Sequence, residues 1–490
     1  MAEKTGIVRF GAFVPQLRLK RSAIAAANVW ANPGLKGQAK GERAICAWDE
    51  DVVTMSVEAA RDALADHPRE KISACLLAST SAPFADRLNA GLVAGALNLP
   101  SSITSLDVSG SLRAGTSALI AALALSAAND DPVLLVAGEH RNAKPGSVTE
   151  MQQGDAAAAF LVGRNPVAAL VASHTITVDF VDHFRATGQK HDYGWEERWI
   201  RDEGYMKIVP KALDGLFRKT NVSPKAISKF ILPTTVNGVA AALAKKSGIP
   251  DTAIAGTLSE SCGYTGAAHG LLMLVQALET AKAGDLIVVA NFANGCDALL
   301  FEVTPEIEKA RPRRGVTGSL ARGKSTEEYT RFLAFNGELN VDWGMRAEFG
   351  NKYALTTEYR TGHDNLAFLG GRDVETGVVQ FPKTPASVGP GAHGVAKYED
   401  VPLADETAKV VSYTADWLTY YPSPPLYFGL AQFDNGARML MEFVDVPEGS
   451  LKVGAPLEML FRVKEIDTVR GYRHYFWKAT PVIAQAEAAE

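Results

Sequence analysis

An α/β core built by duplication, followed by a smaller all-β domain, is the architecture this sequence predicts. Three observations carry it. A glycine-rich turn, a helix of small residues and an apolar strand occur in that order twice. Apolar strand runs alternate with Ala-rich helical runs up to Val303. Beyond the basic, Gly/Ser-containing stretch 309–326, the composition changes to short alternating strands with aromatics and turns.

The first copy opens at Ser109-Gly110-Ser111-Leu112-Arg113-Ala114-Gly115-Thr116 and reaches the strand 132–137. The second opens at Cys262-Gly263-Tyr264-Thr265-Gly266 and reaches the strand 285–290. Each closes with a matching strand, 154–162 and then 294–303. Between them, strand runs such as 72–78 alternate with helical runs such as 53–64 and 116–128. The helix after Thr116 is nearly all Ala, Leu, Ile and Ser, so it lacks a polar face and is predicted to be buried on all sides. Residues 309–335 are predicted to be a linker between a core at 1–308 and a domain at 336–490. In the latter, Asp434-Asn435-Gly436 predicts a hairpin turn, and strands at 457–463 and 472–479 bring the count to that of a small β-barrel.

Composition narrows the function classes. The chain has 490 residues, 47% hydrophobic and 21% charged, with a net charge of −5 and a pI near 6.1. It can bury a large core, and it has no electrostatic footprint for nucleic acid or a membrane surface. The N-terminus, Met1-Ala2-Glu3-Lys4-Thr5-Gly6, has no signal-peptide pattern, and no apolar run is long enough to span a bilayer, so a cytoplasmic protein is expected. Four scattered cysteines, Cys46, Cys75, Cys262 and Cys296, predict reduced thiols rather than a disulfide framework. No metal-ligand spacing is recognisable. Gly318–Ser325 fits a phosphate-loop pattern without the strand it needs, and 389–394 fits a dinucleotide pattern without a following helix.

The two turns and their closing strands resemble the thiolase superfamily, nearest to hydroxymethylglutaryl-CoA synthases and to ketoacyl synthases acting on free CoA esters. The likeness covers residues 1 to about 310. It implies a five-layer thiolase-like core, an acyl-CoA substrate with coenzyme A as its carrier, and a homodimer. Pro422, Pro424, Pro425 and the run 434–438 resemble the OB-fold domain that accompanies thiolase-like acyl-CoA enzymes. That domain normally follows a zinc ribbon, but residues 370–385 contain no cysteine, so no structural zinc is predicted.

The resemblance also marks departures. The family nucleophile is a cysteine at the N-terminus of the first duplicated helix, where Leu112 stands here. The position of the acid/base glutamate holds Thr80, the segment 230–237 lacks the family histidine, and the second turn reads Gly263-Tyr264-Thr265 where Gly-Asn-Thr is usual. Tyr264 is therefore a candidate for acid/base catalysis of the kind tyrosines perform in cysteine-free thiolase-like aldolases, or else a core residue filling vacated space. Cys262 is a candidate substitute nucleophile, or a small buried hydrophobe.

Ser109 and Ser111 read as caps or, with a base nearby, as nucleophiles. Arg113 holds a substrate carboxylate or pairs with an acid. His183, His191 and Tyr193, among the aromatics of 182–203, are candidate acid/base groups or part of an exposed amphipathic helix. Thr80, Ser111, Leu112, Arg113, Thr234 and Asn294 are expected to line the substrate site. The expected activity makes or breaks the Cα–Cβ bond of a β-keto or β-hydroxy acyl-CoA, preferably by retro-Claisen or retro-aldol cleavage, without the usual cysteine. The alternatives are an acyltransferase or condensing enzyme with another nucleophile, and a non-catalytic acyl-CoA-binding scaffold.

Overall fold

A computed structural model gives the structure of this protein and describes residues 4–129, 131–348 and 352–482. The chain divides near Leu339 into two compact units.

The first unit is organised by a nine-stranded sheet: β1 (Thr5–Phe13), β2 (Ala74–Ala78), β3 (Thr104–Val108), β4 (Val133–Glu139), β5 (Ala156–Arg164), β6 (Ala168–Thr177), β7 (Lys229–Ile231), β8 (Leu286–Phe292) and β9 (Gly295–Val303). Their spatial order is β7-β8-β9-β6-β1-β5-β4-β2-β3. The duplication is visible in the pairing. Outward from β1, the neighbours β5, β4 and β2 join by antiparallel, antiparallel and parallel ladders. Outward from β6, the neighbours β9, β8 and β7 repeat that series. In the first half β3 extends it by one more parallel strand, and in the second a single parallel bridge between Phe230 and Ile254 does so.

Two central helices, α1 (Ala114–Asn129) and α2 (Gly266–Thr280), follow the duplicated turns and lie against each other between the halves. A Cβ on Gly115 would lie 2.3 Å from the Ala267 carbonyl oxygen, so the backbones meet where only glycine fits. The helix Val52–Leu64 covers β1, β4 and β5 from outside, and Met206–Thr220 covers β6, β8 and β9. Outer helix, one half of the sheet, the central helix pair, the other half of the sheet and outer helix make the expected five layers. Asp51 starts the first outer helix as a reciprocal cap, its carboxylate accepting from Val53 N and Thr54 N while the Thr54 hydroxyl accepts from Asp51 N.

Two expectations are corrected. α2 is buried almost throughout, but α1 leaves Ala121, Ala124, Ala127 and Ala128 exposed, so it is not covered on every side. Residues 309–335 are not a free linker. Within them a helix Gly315–Ala321 is anchored by the Asp62 carboxylate, which accepts from Arg314 N (2.8 Å) and Gly315 N (2.9 Å). Strand Lys324–Thr326 pairs with Leu17–Lys20, and helix Tyr329–Phe335 buries Tyr329 and Phe332. The phosphate-loop look-alike thus belongs to a helix and a strand of the first unit.

The second unit contains a closed five-stranded barrel, β10 (Ala408–Asp416), β11 (Leu426–Phe433), β12 (Arg438–Phe443), β13 (Pro456–Asp467) and β14 (Tyr472–Pro481), in the order β10-β11-β12-β14-β13. The predicted hairpin joins β11 to β12 with Gly436 at φ +92°. Ahead of the barrel, strands Leu369–Asp373, Val379–Gln380 and Tyr398–Pro402 form a small sheet where a zinc ribbon would stand. Its turns are tied by side chains. Asp373 accepts from Glu375 N (3.1 Å) and the Thr376 hydroxyl (2.7 Å), and Gln380 Nε2 donates to the Thr384 hydroxyl (3.0 Å) while its Oε1 accepts from Val388 N (2.8 Å).

The contact between α1 and α2 sets a test. Gly115→Val is expected to cost about 1–3 kcal/mol through overpacking and to lower the thermal midpoint. Gly318→Ala, where the nearest atom to the new Cβ is Arg314 Cβ at 3.5 Å, leaves that midpoint within a degree or two, as differential scanning calorimetry will show.

Candidate active site

Three chain turns converge at the ends of parallel strands. β2 and β4 run side by side in the same direction, with Ala78 opposite Ala137, so Ser79-Thr80-Ser81 emerges beside Glu139-His140-Arg141. The duplicated turn ahead of α2 brings Gly263-Tyr264-Thr265 to the same place, through Tyr264 N donating to the Gln152 carbonyl (2.7 Å) and Gly154 N donating to the Tyr264 carbonyl (3.0 Å).

Glu139, with no solvent exposure, is the hub. Its carboxylate accepts from Ala267 N in the first turn of α2 (2.9 Å), from Thr80 N (3.1 Å) and the Thr80 hydroxyl (3.1 Å), and from the Ser81 and Ser79 hydroxyls. A helix N-terminus and a set of hydroxyl donors are what a buried carboxylate needs in place of water. Gly266, at φ +50°, makes room, since a Cβ there would lie 2.7 Å from Glu139 Cγ. Arg141 donates to the Thr80 hydroxyl (2.5 Å) and, with Arg185, to the Asp192 carboxylate; Arg185 also reaches the Thr80 carbonyl. Thr80 therefore relays between a guanidinium and a buried carboxylate.

Tyr264 faces this cluster. Burial holds its phenol well above the ordinary value, and Tyr205, Asp182 and Glu139 push the same way against Arg141. It is a neutral hydrogen-bond donor across the physiological range. Asp182 carries His183 at 3.1 Å (Oδ1 to Nδ1), and Tyr205 donates to the Pro233 carbonyl (3.3 Å) beside Thr234. The Tyr264 ring lies 4.8 Å from the ring of His269. Burial lowers His269 to about 4; its Nδ1 accepts from Thr265 N (3.1 Å) and its Nε2 lies 2.9 Å from the Thr257 carbonyl, which fits a neutral ring donating from Nε2.

The remaining candidates fall elsewhere or serve the frame. Cys262 is wholly buried on the far side of the turn, toward Arg18 and Arg21; burial pushes its thiol up to about 12 and it contacts the Leu258 and Gly263 carbonyls, which corrects the nucleophile expectation. Cys75 and Cys296 are buried as well. Tyr193 is 61% exposed against Phe184, outside the cluster, and His191 lies 2.8 Å from Glu338. Residues 182–203 form a small hairpin and irregular helical turns rather than an amphipathic helix.

Leu112 lies two residues ahead of α1, and its carbonyl accepts from Asn291 (3.4 Å). Ser111 donates to the Ala293 carbonyl and accepts from Arg113 N. Arg113 pairs with the buried Asp297 (2.8 Å), which also takes the hydroxyls of Thr116, Ser117 and Thr175, so the guanidinium is committed to the fold. The Thr234 hydroxyl accepts from Val236 N, and Asn294, at φ +47°, donates to the Phe180 carbonyl to build the turn between β8 and β9.

Glu139, Arg141, Asp182, Asp192 and Tyr205 carry no motif in the sequence; strand register places Glu139 and Arg141, and the segment 182–205 brings the other three to them. His269 gives a pH signature. A folded value near 4 against about 6.5 unfolded means that the unfolded chain binds the extra proton first, so stability is full above pH 6.5 and falls as pH drops toward 4. His474 in the second unit, also lowered to about 4, acts with the same sign. Thermal melts of His269→Gln are expected to decline less steeply than wild type across that window.

Comparison with known proteins agrees with this architecture. Residues 217–302 match the 3-oxoacyl-[acyl-carrier-protein] synthase III C-terminal family, and residues 400–462 match the ChsH2 C-terminal OB-fold domain. A hydroxymethylglutaryl-CoA synthase of Aeropyrum pernix is 33% identical over 344 residues, 69% of this chain and 95% of its own length. Another from Methanobrevibacter smithii is 28% identical over 349 residues, covering 69% and 99%. Among solved structures, an HMG-CoA synthase complexed with CoA superposes with a TM-score of 0.62 at 19% identity, over 72% of this chain and 95% of that one. The 3-oxoacyl-[acyl-carrier-protein] synthase III of Aquifex aeolicus gives 0.54 at 20%, over 61% and 99%. The chain belongs to the hydroxymethylglutaryl-CoA synthase family of thiolase-like acyl-CoA condensing enzymes, with an OB-fold domain joined to the core.

Proposed function

We propose that this protein makes or breaks the Cα–Cβ bond of a β-hydroxy or β-keto acyl-CoA without a cysteine-bound acyl intermediate, and that cleavage is its preferred direction. The observation that carries this reading is the pairing of Leu112 ahead of α1 with a neutral Tyr264 among Glu139, Arg141 and Asp182, while all four cysteines are buried. Coenzyme A serves as the carrier of the substrate, in keeping with the hydroxymethylglutaryl-CoA synthases to which the chain is similar.

For a β-hydroxy substrate the steps balance as a retro-aldol reaction. The Asp182 carboxylate, seated on His183, accepts the β-hydroxyl proton as the Cα–Cβ bond breaks and the β-carbon becomes a carbonyl. The bond electrons move to the thioester, whose enolate oxygen takes a hydrogen bond from the Tyr264 phenol. Protonation at Cα releases the shortened acyl-CoA. Run backward, the same groups perform an aldol condensation. A β-keto substrate needs an added nucleophile, for which free CoA is the natural choice.

Product analysis by liquid chromatography and mass spectrometry tests this. Wild-type protein is expected to convert members of a β-hydroxy acyl-CoA panel to shortened acyl-CoA, with Tyr264→Phe slower by about 100-fold or more, the usual effect of removing one oxyanion donor. Iodoacetamide treatment leaves the rate unchanged. Loss of turnover on thiol alkylation, or none with any substrate, overturns the reading.

We read the molecule as a homodimer in a reducing, cytoplasmic setting. The outer strand β3 has an open edge with Leu106 47% exposed, next to the exposed alanines of α1, and the four cysteines are unpaired. Leu106→Arg is expected to shift the mass measured by light scattering from dimer to monomer; a wild-type monomer contradicts the reading.

A further inference from the structure

Beside the Glu139–Tyr264 cluster, three metal-ligating side chains from separate segments meet. β4 and β5 pair antiparallel with Glu139 opposite Ala156, which sets His140 against Asp155. Asp155 N donates to the Ala44 carbonyl (3.1 Å), bringing up Cys46 two residues on. The Cys46 sulfur, a His140 ring nitrogen and an Asp155 carboxylate oxygen lie within 4.8 Å of one another. Asp155 Oδ2 accepts from Cys46 N (2.8 Å) and lies 3.1 Å from His140 Nδ1. Its other oxygen, Oδ1, belongs to a side chain only 1% exposed and has no hydrogen-bond partner. A buried carboxylate oxygen left unsatisfied beside a thiol and an imidazole calls for a ligand.

We propose that Cys46, His140 and Asp155 hold one divalent transition-metal ion of the zinc class, as a structural site beside the Glu139–Tyr264 cluster. Sulfur, imidazole nitrogen and carboxylate oxygen together suit zinc or cobalt rather than magnesium or calcium, which prefer oxygen alone. The buried Met55 sulfur, 3.7 Å from Cys46 Sγ, is a soft atom close to the site. Two sulfurs bound at about 2.3 Å to one tetrahedral ion sit about 3.8 Å apart, so the thioether is spaced to complete the shell. Binding displaces the thiol proton of Cys46 to solvent and replaces it with the ion.

The surrounding charges fit such an exchange. Arg43 faces Asp155 and Cys46, but it is fixed by the Glu150 carbonyl (2.6 Å) and packs over the Phe332 ring (4.7 Å). Glu50 and Asp51 add negative field at the thiol. The consequence is mechanical. His140 lies between Glu139 and Arg141, and Asp155 follows Gly154, whose N–H donates to the Tyr264 carbonyl, so one ion would pin both the Glu139 and the Tyr264 segments.

The test uses the full-length protein, stripped with a chelator and titrated with cobalt(II). Wild type is expected to develop thiolate-to-cobalt charge-transfer absorption and the visible bands of a tetrahedral ion, saturating near one equivalent. Cys46→Ser abolishes the charge-transfer band, His140→Gln weakens binding about tenfold or more, and Cys75→Ser matches wild type. Circular dichroism establishes that each variant is folded; if Cys46→Ser is not, His140→Gln carries the comparison. Absence of thiolate bands in wild type, or binding to His140→Gln as tight as to wild type, overturns the proposal.

Discussion

The buried carboxylate of Glu139 joins the end of β4 to the end of β2 through Ser79, Thr80 and Ser81, and both to the first turn of α2 through Ala267 N. A charge with no solvent exposure persists only where fixed dipoles replace its hydration, and here the replacements come from three segments. The position of each is therefore tied to the others. Gly266 exists to let the carboxylate approach, the Thr80 hydroxyl passes the interaction to Arg141, and Arg141 and Arg185 both hold Asp192 from the loop after β6. The candidate chemistry stands on this frame, since Tyr264 lies in the turn that α2 continues.

Duplication explains why the frame has two ends. Each half delivers a glycine-containing turn to a central helix, and the helices meet closely enough that Gly115 has no space for a side chain. The first turn now carries Leu112, with Arg113 spent on Asp297, whereas the second carries Tyr264 facing a set of ionisable groups. In the second unit, Asp373 and Gln380 tie the turns of the small sheet ahead of the barrel.

Periodicity made the layered core, the two helices and the barrel legible, because alternation and repeated turn chemistry act over many residues at once. The hairpin at Asp434-Asn435-Gly436 was readable for the same reason. The segment 309–335 was not, since its Arg, Gly and Ser content resembles a linker while its order comes from distant partners: Asp62, the strand Leu17–Lys20 and a pocket for Tyr329 and Phe332. Tyr264 could be singled out by its place in the second turn. Glu139, Arg141 and Asp192 could not, because their meaning arises from parallel register and a loop closing over it. Cys262 stands two residues before Tyr264, yet the turn at Gly263 (φ +85°) between them leaves the thiol packed in the core.

In the proposed reaction, carbon–carbon chemistry at this site proceeds with the acyl group held by hydrogen bonds and never by a protein sulfur. Intact-protein mass spectrometry after rapid quenching of an acyl-CoA incubation tests it directly. Only the mass of the unmodified chain is expected at every time point at which product is accumulating. A transient increase equal to one acyl group, mapped to any cysteine, contradicts it.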